Sequence, residues 1–328
     1  MMIDARRRLL LQAGLATPAL AWLPRAAQAE DKYPGQPIRL IHGFGAGGNA
    51  DVVARLVGKQ LAQSLGQPVV VEIKSGAGGR IASDSVAKAR PDGYTLVMLT
   101  GAHTVSAALS KTLPYDPVRD FSFLSTVSKF PFVLAVRADH PAKTLADLLA
   151  MAAQSPGRIT FTSVGVGSTQ HLTGELLATE GKVELLHIPY RGGGAPVEAV
   201  LSGDVDVLSD TLTVAAPQLK AGKLRALAVT SATPWPQAPD IPVVAQTLAG
   251  FEVLSWLGVA GPAGLPNRIV AVLNEAIGKA LEEAEVRQAL ATLGSQAAPG
   301  SPAGMSGMVA SEIRRWQQVA KTAGIPSL

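Results

Sequence analysis

The chain has 328 residues, of which 47% are apolar and 16% charged, and its formal net charge is +4. It contains no cysteine, which excludes disulfides, zinc–thiolate sites and cysteine nucleophiles together. The length suits two domains of ordinary size, each apolar enough to bury a large core.

At the amino terminus, Arg6, Arg7 and Arg8 precede the apolar stretch "LLLQAGLATPALAWL", which ends in "AAQA" before Glu30. A charged region, a short apolar region and small residues at Ala27 and Ala29 predict an export signal over residues 1–29, cleaved after Ala29. The stretch is too short to span a bilayer and contains Pro18. Arginines followed by leucines fit a twin-arginine leader, and Sec export stays open. Residues 1–29 carry four Arg and one Asp, so the mature chain holds 25 basic and 24 acidic residues, a net charge of +1. The high pI is then mostly the leader's. Nothing points to nucleic acid, and the mature chain offers no membrane span, so the expected location is the periplasm.

Next comes the strand-like run "PIRLI", then Gly43, Gly45 and Gly48 in the spacing G-x-G-x-x-G. A helix is predicted over residues 49–65, with Val53, Leu56, Val57 and Leu61 on one face. The run "PVVVEI" ends near Glu72, roughly where a dinucleotide-binding unit keeps its ribose-binding acid. A second glycine turn, "SGAGGR", leads to a helix over 81–88 and a strand over 94–100. A polar and aromatic loop over 113–123 precedes the strand "FVLAVRADH". Thr144 is the expected N-cap of the helix "TLADLLAMAAQ". The strand "RITFTS" runs through "VGVGST" into a helix over 170–180. "VELLHIPY", "VDVLSD" and "LRALAVT" read as further strands, with a short helix over 195–201. After "FEVLSWLGVAGPAGLP" the chain is helical over about 266–282, 285–293 and 302–323. This alternation predicts an α/β fold with a mostly parallel sheet.

Two strand–glycine loop–helix units therefore stand far apart, at 38–65 and 158–180. A helix start leaves backbone N–H groups unpaired and carries partial positive charge. Glycine lets that backbone approach a ligand closely, so each unit is a candidate anion site. Gly45 to Asn49 offer N–H groups, and Gly165 to Thr169 offer more, with the hydroxyls of Ser163, Ser168 and Thr169. Each charge-assisted hydrogen bond contributes about 1.5–3 kcal/mol, so three or four approach the roughly 8 kcal/mol of a micromolar complex. Glycine at such a turn is also commonly a packing device, which competes with this reading at either loop alone.

Other chemistries fit less well. In the dinucleotide reading, Asp51 in the first helical turn opposes a pyrophosphate. No Gly-Lys-Ser/Thr makes a P-loop. The five histidines, at 42, 103, 140, 171 and 187, are scattered without metal-ligand spacing. There is no G-x-S-x-G elbow, and Ser168 with His171 at i,i+3 does not by itself make a nucleophile–base pair. His171 reads as a pocket-edge or satisfied buried residue. Asp204 and Asp206 read as strand-start residues, whereas Asp210 sits at a strand end, where ligands gather in α/β sheets.

In order along the mature chain stand "GFGAGGNADVVAR", "GQPVVVEIKSGAGG", "ARPDGYTLVM", "LPYDPVRDF", "SVGVGSTQHLTGELL", "HIPYRGGGAPVEAVLSGDVDVLSD", "AGKLRALAVTS" and "PAGLPNRIV". With these the chain resembles the extracytoplasmic solute receptors of the tripartite tricarboxylate transporter family, the Bug receptors. The resemblance implies a type II periplasmic binding protein fold: two α/β lobes joined by two crossover segments, with the ligand in the cleft. The crossings are expected near Phe130 and Leu254, giving a first lobe of residues 30–130 plus 254–328 and a second of 131–253. It implies capture of a small carboxylate (a di- or tricarboxylate, an acidic amino acid or an aromatic acid) between the two glycine loops. Delivery to a membrane permease, or signalling to a sensor kinase, then follows. It further implies a monomer with no catalytic residue, cofactor or metal. Carried over by position, Phe44, Gly45, Ala46, Gly47, Gly48, Asn49 and Asp51 match the first loop. Ser163, Val164, Gly165, Gly167, Ser168, Thr169 and His171 match the second. Asp210 and Thr211 match an acid-plus-polar pair at the cleft, and Thr100, Gly101 and His103 are weaker candidates. The chain departs from the family where Gly43 and Gly45 replace prolines and where Lys74 and Arg80 flank "SGAG". Arg80 is either a contact for a distal carboxylate or a solvated charge. The rival reading is an exported oxidoreductase holding a tightly bound dinucleotide at the G-x-G-x-x-G loop.

Overall fold

The computed structural model describes residues 33–328, so the leader read over residues 1–29 lies outside it. Strand β1 (Ile38–His42) buries Ile38, Leu40 and Ile41 and feeds the first glycine loop. Helix α1 (Asn49–Leu65) follows, with Val53, Ala54, Val57 and Leu61 buried at helical spacing. It stops at Gly66, whose left-handed conformation returns an N–H to Ala62 O. Strand β2 (Val69–Ile73) then pairs in parallel with β1, from Ile38↔Val69 to His42↔Ile73. After helix α2 (Arg80–Ala87), strand β3 (Thr95–Thr100) adds in parallel on the other side of β1. Helix α3 (Ala102–Leu109), the 17-residue strand β4 (Phe121–Arg137) and helix α4 (Leu145–Gln154) come next. The expected Thr144 does cap α4, in a reciprocal box with Asp147.

The first unit then recurs. Strand β5 (Ile159–Ser163), helix α5 (Thr169–Gly181) and strand β6 (Leu185–Pro189) repeat the order, and β5 pairs with β6 from Ile159↔Leu185 to Ser163↔Pro189. Helix α6 (Ala195–Ser202), strand β7 (Val207–Thr211), helix α7 (Leu212–Lys220) and strand β8 (Leu224–Val229) complete this half. Strand β9 (Leu254–Pro262), helices α8 (Asn267–Glu282) and α9 (Ala284–Thr292), the short strand β10 (Gln296–Ala297) and helix α10 (Pro302–Thr322) finish the chain.

The strands lie in the order β2-β1-β3-β9-β4-β7-β5-β6, parallel on both wings and antiparallel at the centre around β4 and β9. β4 changes partner along its length. Phe121 to Pro131 pair with β9, whereas Phe132 to Val136 pair with β7. Pro131, which has no N–H for the ladder, marks the change. Two apolar clusters of described residues pack on the strands. One holds Ile41, Val97, Phe121, Trp256 and Met305; the other holds Val133, Leu208, Leu212, Leu224 and Trp235.

The sheet is mixed and not mostly parallel as expected, because β4 and β9 run antiparallel to their neighbours, and three further features depart from the sequence expectation. The first half of β4 is strand where a loop was expected up to residue 123, because register shifts after Phe123 and Thr126 disturb its two-residue period. α3 is short and carries weak helix formers at Thr104, Val105 and Ser106. α7 contains Pro217, which reads as a break from sequence but falls in the last turn.

Candidate ligand-binding site

β1 and β5 each end in a buried polar residue, His42 and Ser163, and each opens through glycine into a helix start. Both helix starts face one cavity of about 40 Å³. That is room for roughly three water-sized groups, so the cleft is nearly shut. Phe44, Gly48, Asn49 and Ala50 line it from the first unit, and Val164, Thr169 and Gln170 from the second. Gly192, Gly193, Asp210, Thr211, Thr100 and Ser255 extend the wall, and Phe130, Phe132 and Leu257 give it an apolar side.

Among the described residues the wall is rich in donors and carries no cation. Thr213 Oγ1 stands 2.8 Å from Asn49 Oδ1 and 3.0 Å from Leu293 O, and the buried amide nitrogen of Asn49, a wall residue, has no partner. The buried Thr169 hydroxyl also has none. Thr211 Oγ1 lies close to the Asp210 carboxyl yet outside hydrogen-bond geometry with any acceptor. The first residues of α1 and α5 and the N-cap of α7, Thr211, all stand in the wall, so three helix N-termini add partial positive charge. Such a set is what an anion needs when no Lys or Arg is at hand. Asp210 is the single titratable group in the wall among the described residues, and burial pushes it up to about 6, against the hydrogen bonds from Thr211 N and Gln170.

Two of the expected ligand contacts, Asp51 and His171, lie behind the loops and hold them. His42, fully buried, accepts the Phe44 N–H on Nδ1 at 3.4 Å and therefore carries its proton on Nε2, 3.1 Å from Asp51 Oδ1. Asp51 accepts from Gly47 N–H (2.9 Å) and from Arg55 (2.9 Å). Burial works to raise the Asp51 pKa, but the bonds from Arg55, Gly47 and His42 outweigh it and hold the carboxylate below its ordinary range. Burial pulls His42 down, against Asp51.

The second loop is held in the same manner. Gly167 N–H donates to His171 Nδ1 at 3.4 Å, and His171 Nε2 stands 3.5 Å from Glu175. Ser168 caps α5 by accepting the His171 N–H. Ser163 Oγ accepts from Gly165 N–H at 3.0 Å and so donates to His187 Nε2 at 2.6 Å. Burial and the neighbouring His171 lower His187 to about 4, which keeps that acceptor neutral.

Of the residues named from sequence, Phe44, Gly48, Asn49, Val164, Thr169, Asp210, Thr211 and Thr100 reach the wall, whereas Gly45, Ala46, Gly47, Ser163, Gly165, Gly167 and Ser168 do not. Gly45 is bridged to Gly192, with its N–H on Arg191 O at 3.0 Å. Gly101 lies outside the wall, and His103 is a core residue, donating to Pro117 O and lowered to about 4 by burial. Arg80 donates to Ala77 O and Ser110 Oγ instead of facing the cavity. Ala50, Gln170, Gly192, Gly193, Phe130, Phe132, Ser255 and Leu257 were not anticipated. Gln170 follows Thr169 directly, and "YRGGG" carried a glycine signal that pointed here. The acid expected for a ribose, Glu72, is locked to Arg39 by two bonds of 2.7 Å, and Gly47 N–H is already taken by Asp51.

Residues 53–325 match the family described as tripartite tricarboxylate transporter family receptor. The chain is similar to R. palustris Rpa4515 solved with adipate (TM-score 0.87, 36% identity, 90% of this chain and 100% of that one). It is also similar to the periplasmic binding protein BugD (TM-score 0.86, 31% identity, 90% and 99%). A third similar structure is MatC from Rhodopseudomonas palustris with bound malate (TM-score 0.83, 33% identity, 88% and 99%).

Proposed function

We propose, because this chain belongs to the tripartite tricarboxylate transporter receptor family and has the two-lobed α/β fold of periplasmic binding proteins, that it captures a small carboxylate in the periplasm and hands it to a membrane permease. The observation that carries this reading is the cavity wall itself: unpartnered donors on Asn49 and Thr169, three helix starts and no cation. Such a wall suits a carboxylate gripped through neutral donors. Adipate and malate in the similar structures are ligands of that kind. In this reading the lobes are residues 30–130 plus 254–328 and residues 131–253. The chain crosses between them in β4 and at the start of β9, and the glycine loops face each other across the cleft.

The test is a thermal-shift screen of the purified protein against mono-, di- and tricarboxylates, acidic amino acids, aromatic acids and NAD. A ligand at a hundredfold excess over Kd stabilises by about 2.7 kcal/mol, which for a chain of this size raises Tm by several degrees. The expected result is a shift with one carboxylate class and none with NAD. A shift with NAD alone overturns the reading. Delivery to a permease is checked separately, by loss of uptake of that carboxylate in cells lacking the receptor.

A further inference from the structure

We propose that Asp210 binds the ligand as a carboxylic acid: one proton is taken from solvent as the ligand's carboxylate enters, and the two carboxyl groups share it. The proposal rests on the carboxylate-receptor reading above. Asp210 stands near the end of β7, only 4% exposed, in the same wall as the unpartnered donors of Asn49 and Thr169. The hydrogen bonds it accepts, from Thr211 N (2.7 Å) and Gln170 (3.4 Å), both fall on Oδ1. A carboxylate drawn to those donors therefore arrives beside another carboxylate.

Among the described residues no Lys, Arg or His lines the wall to relieve the meeting, Arg191 being only the neighbour of the wall residue Gly192. β4 contributes Phe130 and Phe132 to the wall, β9 contributes Ser255 and Leu257, and β3 contributes Thr100. α1 contributes Asn49, its Asp51 and Arg55 being paired with each other and His42. α5 contributes Thr169 and Gln170, with His171 turned to Gly167 and Glu175. His187 on β6 is bound to Ser163, and α7 has no acid in its first turn.

Two costs then compete. Two negative charges about 5 Å apart, at an effective dielectric of about 20, weaken binding by more than a hundredfold. Protonating a carboxyl whose pKa is already about 6 costs only about tenfold at pH 7. Proton uptake is the smaller cost, as in other carboxyl pairs forced to share a site. The balance is plain: an ionised Asp210, one proton from the buffer and an ionised ligand give one hydrogen-bonded pair with a single negative charge. Affinity is then flat below about pH 6 and weakens by up to tenfold per unit above it.

The experiment is isothermal titration calorimetry on the whole protein with adipate, malate, succinate and benzoate, at pH 7.5, in phosphate and in Tris. Whichever of the four binds should take up about one proton, read from the difference in apparent enthalpy between the buffers. Asp210→Asn offers a permanent donor in the same shape, so its binding should show no buffer dependence and, at pH 8, exceed the native affinity by tenfold or more. Binding without proton uptake overturns the proposal, and the native protein decides this even if the variant misfolds. So does an Asp210→Asn protein that binds tenfold more weakly at pH 6, since Asp210 would then be accepting a donor from the ligand. If none of the four binds the native protein at any pH, and citrate, aspartate and glutamate also fail, the receptor reading itself falls, an outcome distinct from both.

Discussion

Asp210 and Asp51 are both buried carboxyls beside glycine loops, yet their surroundings push them in opposite directions. Asp51 has Arg55, Gly47 and His42, so its folded pKa is depressed. Its stabilisation is present above the ordinary carboxylate range and is lost as pH falls through the depressed value. Asp210 has burial and two hydrogen bonds, so its pKa rises from 3.8 to about 6. The unfolded chain therefore ionises this group first, and unliganded stability falls as pH rises from about 4 to about 6, then levels. The cost at pH 7 is on the order of 3 kcal/mol. Asp210→Asn should therefore raise the unliganded Tm by several degrees at pH 7.5 and leave it nearly unchanged at pH 3.5, which calorimetry at the two values checks. Residue roles of this kind were only partly legible in the sequence. The position of Asp51 at the loop was visible. That its carboxylate reaches back to Gly47 N–H and across to His42, behind the wall, depends on how β1 and α1 are held together in space.

The glycines divide into two kinds. A Cβ on Gly45 would meet the backbone of Gly192 at 2.8 Å, where the loop after β1 touches the turn before α6. A Cβ on Gly174, in the middle of α5, would meet the ring of Phe161 at 2.0 Å, inside the packing of α5 on β5. Gly45→Ala should thus lower ligand affinity by tenfold or more while Tm stays within a few degrees. Gly174→Ala should lose about 1–3 kcal/mol of stability through overpacking and keep its affinity in the molecules that remain folded. Titration and thermal unfolding of both variants separate the two effects. Element by element, the strand–loop–helix units were readable because a strand-like run, a glycine-rich turn and a helix-like run follow one another in both. α7 and the first half of β4 were not, because Pro217 and two register shifts contradict the local pattern that tertiary pairing then overrides.

At the scale of the molecule, the sequence carried the alternation of strands and helices but not the partner change of β4 at Pro131 and Phe132. That change depends on where β9, more than a hundred residues later, is laid down. Both glycine units line one cavity in the folded chain. Hydrogen bonds also tie each unit to chain segments beyond the other: Gly45 N–H on Arg191 O, Thr213 Oγ1 on Asn49, and Ser106 Oγ on Gly167 O at 3.0 Å. A cleft fastened in this way by its own backbone and hydroxyls sets a clock on uptake. A solute must wait for these bonds to part, so the observed association rate in stopped-flow should rise with concentration and then reach a ceiling equal to the opening rate. Ser106→Ala removes one fastening and should lift that ceiling severalfold, whereas a rate that climbs linearly without limit would mean the cleft stands open most of the time. If the protein serves transport as proposed, such a ceiling caps the turnover of each copy however abundant its solute becomes, and flux would be raised by making more copies of the protein.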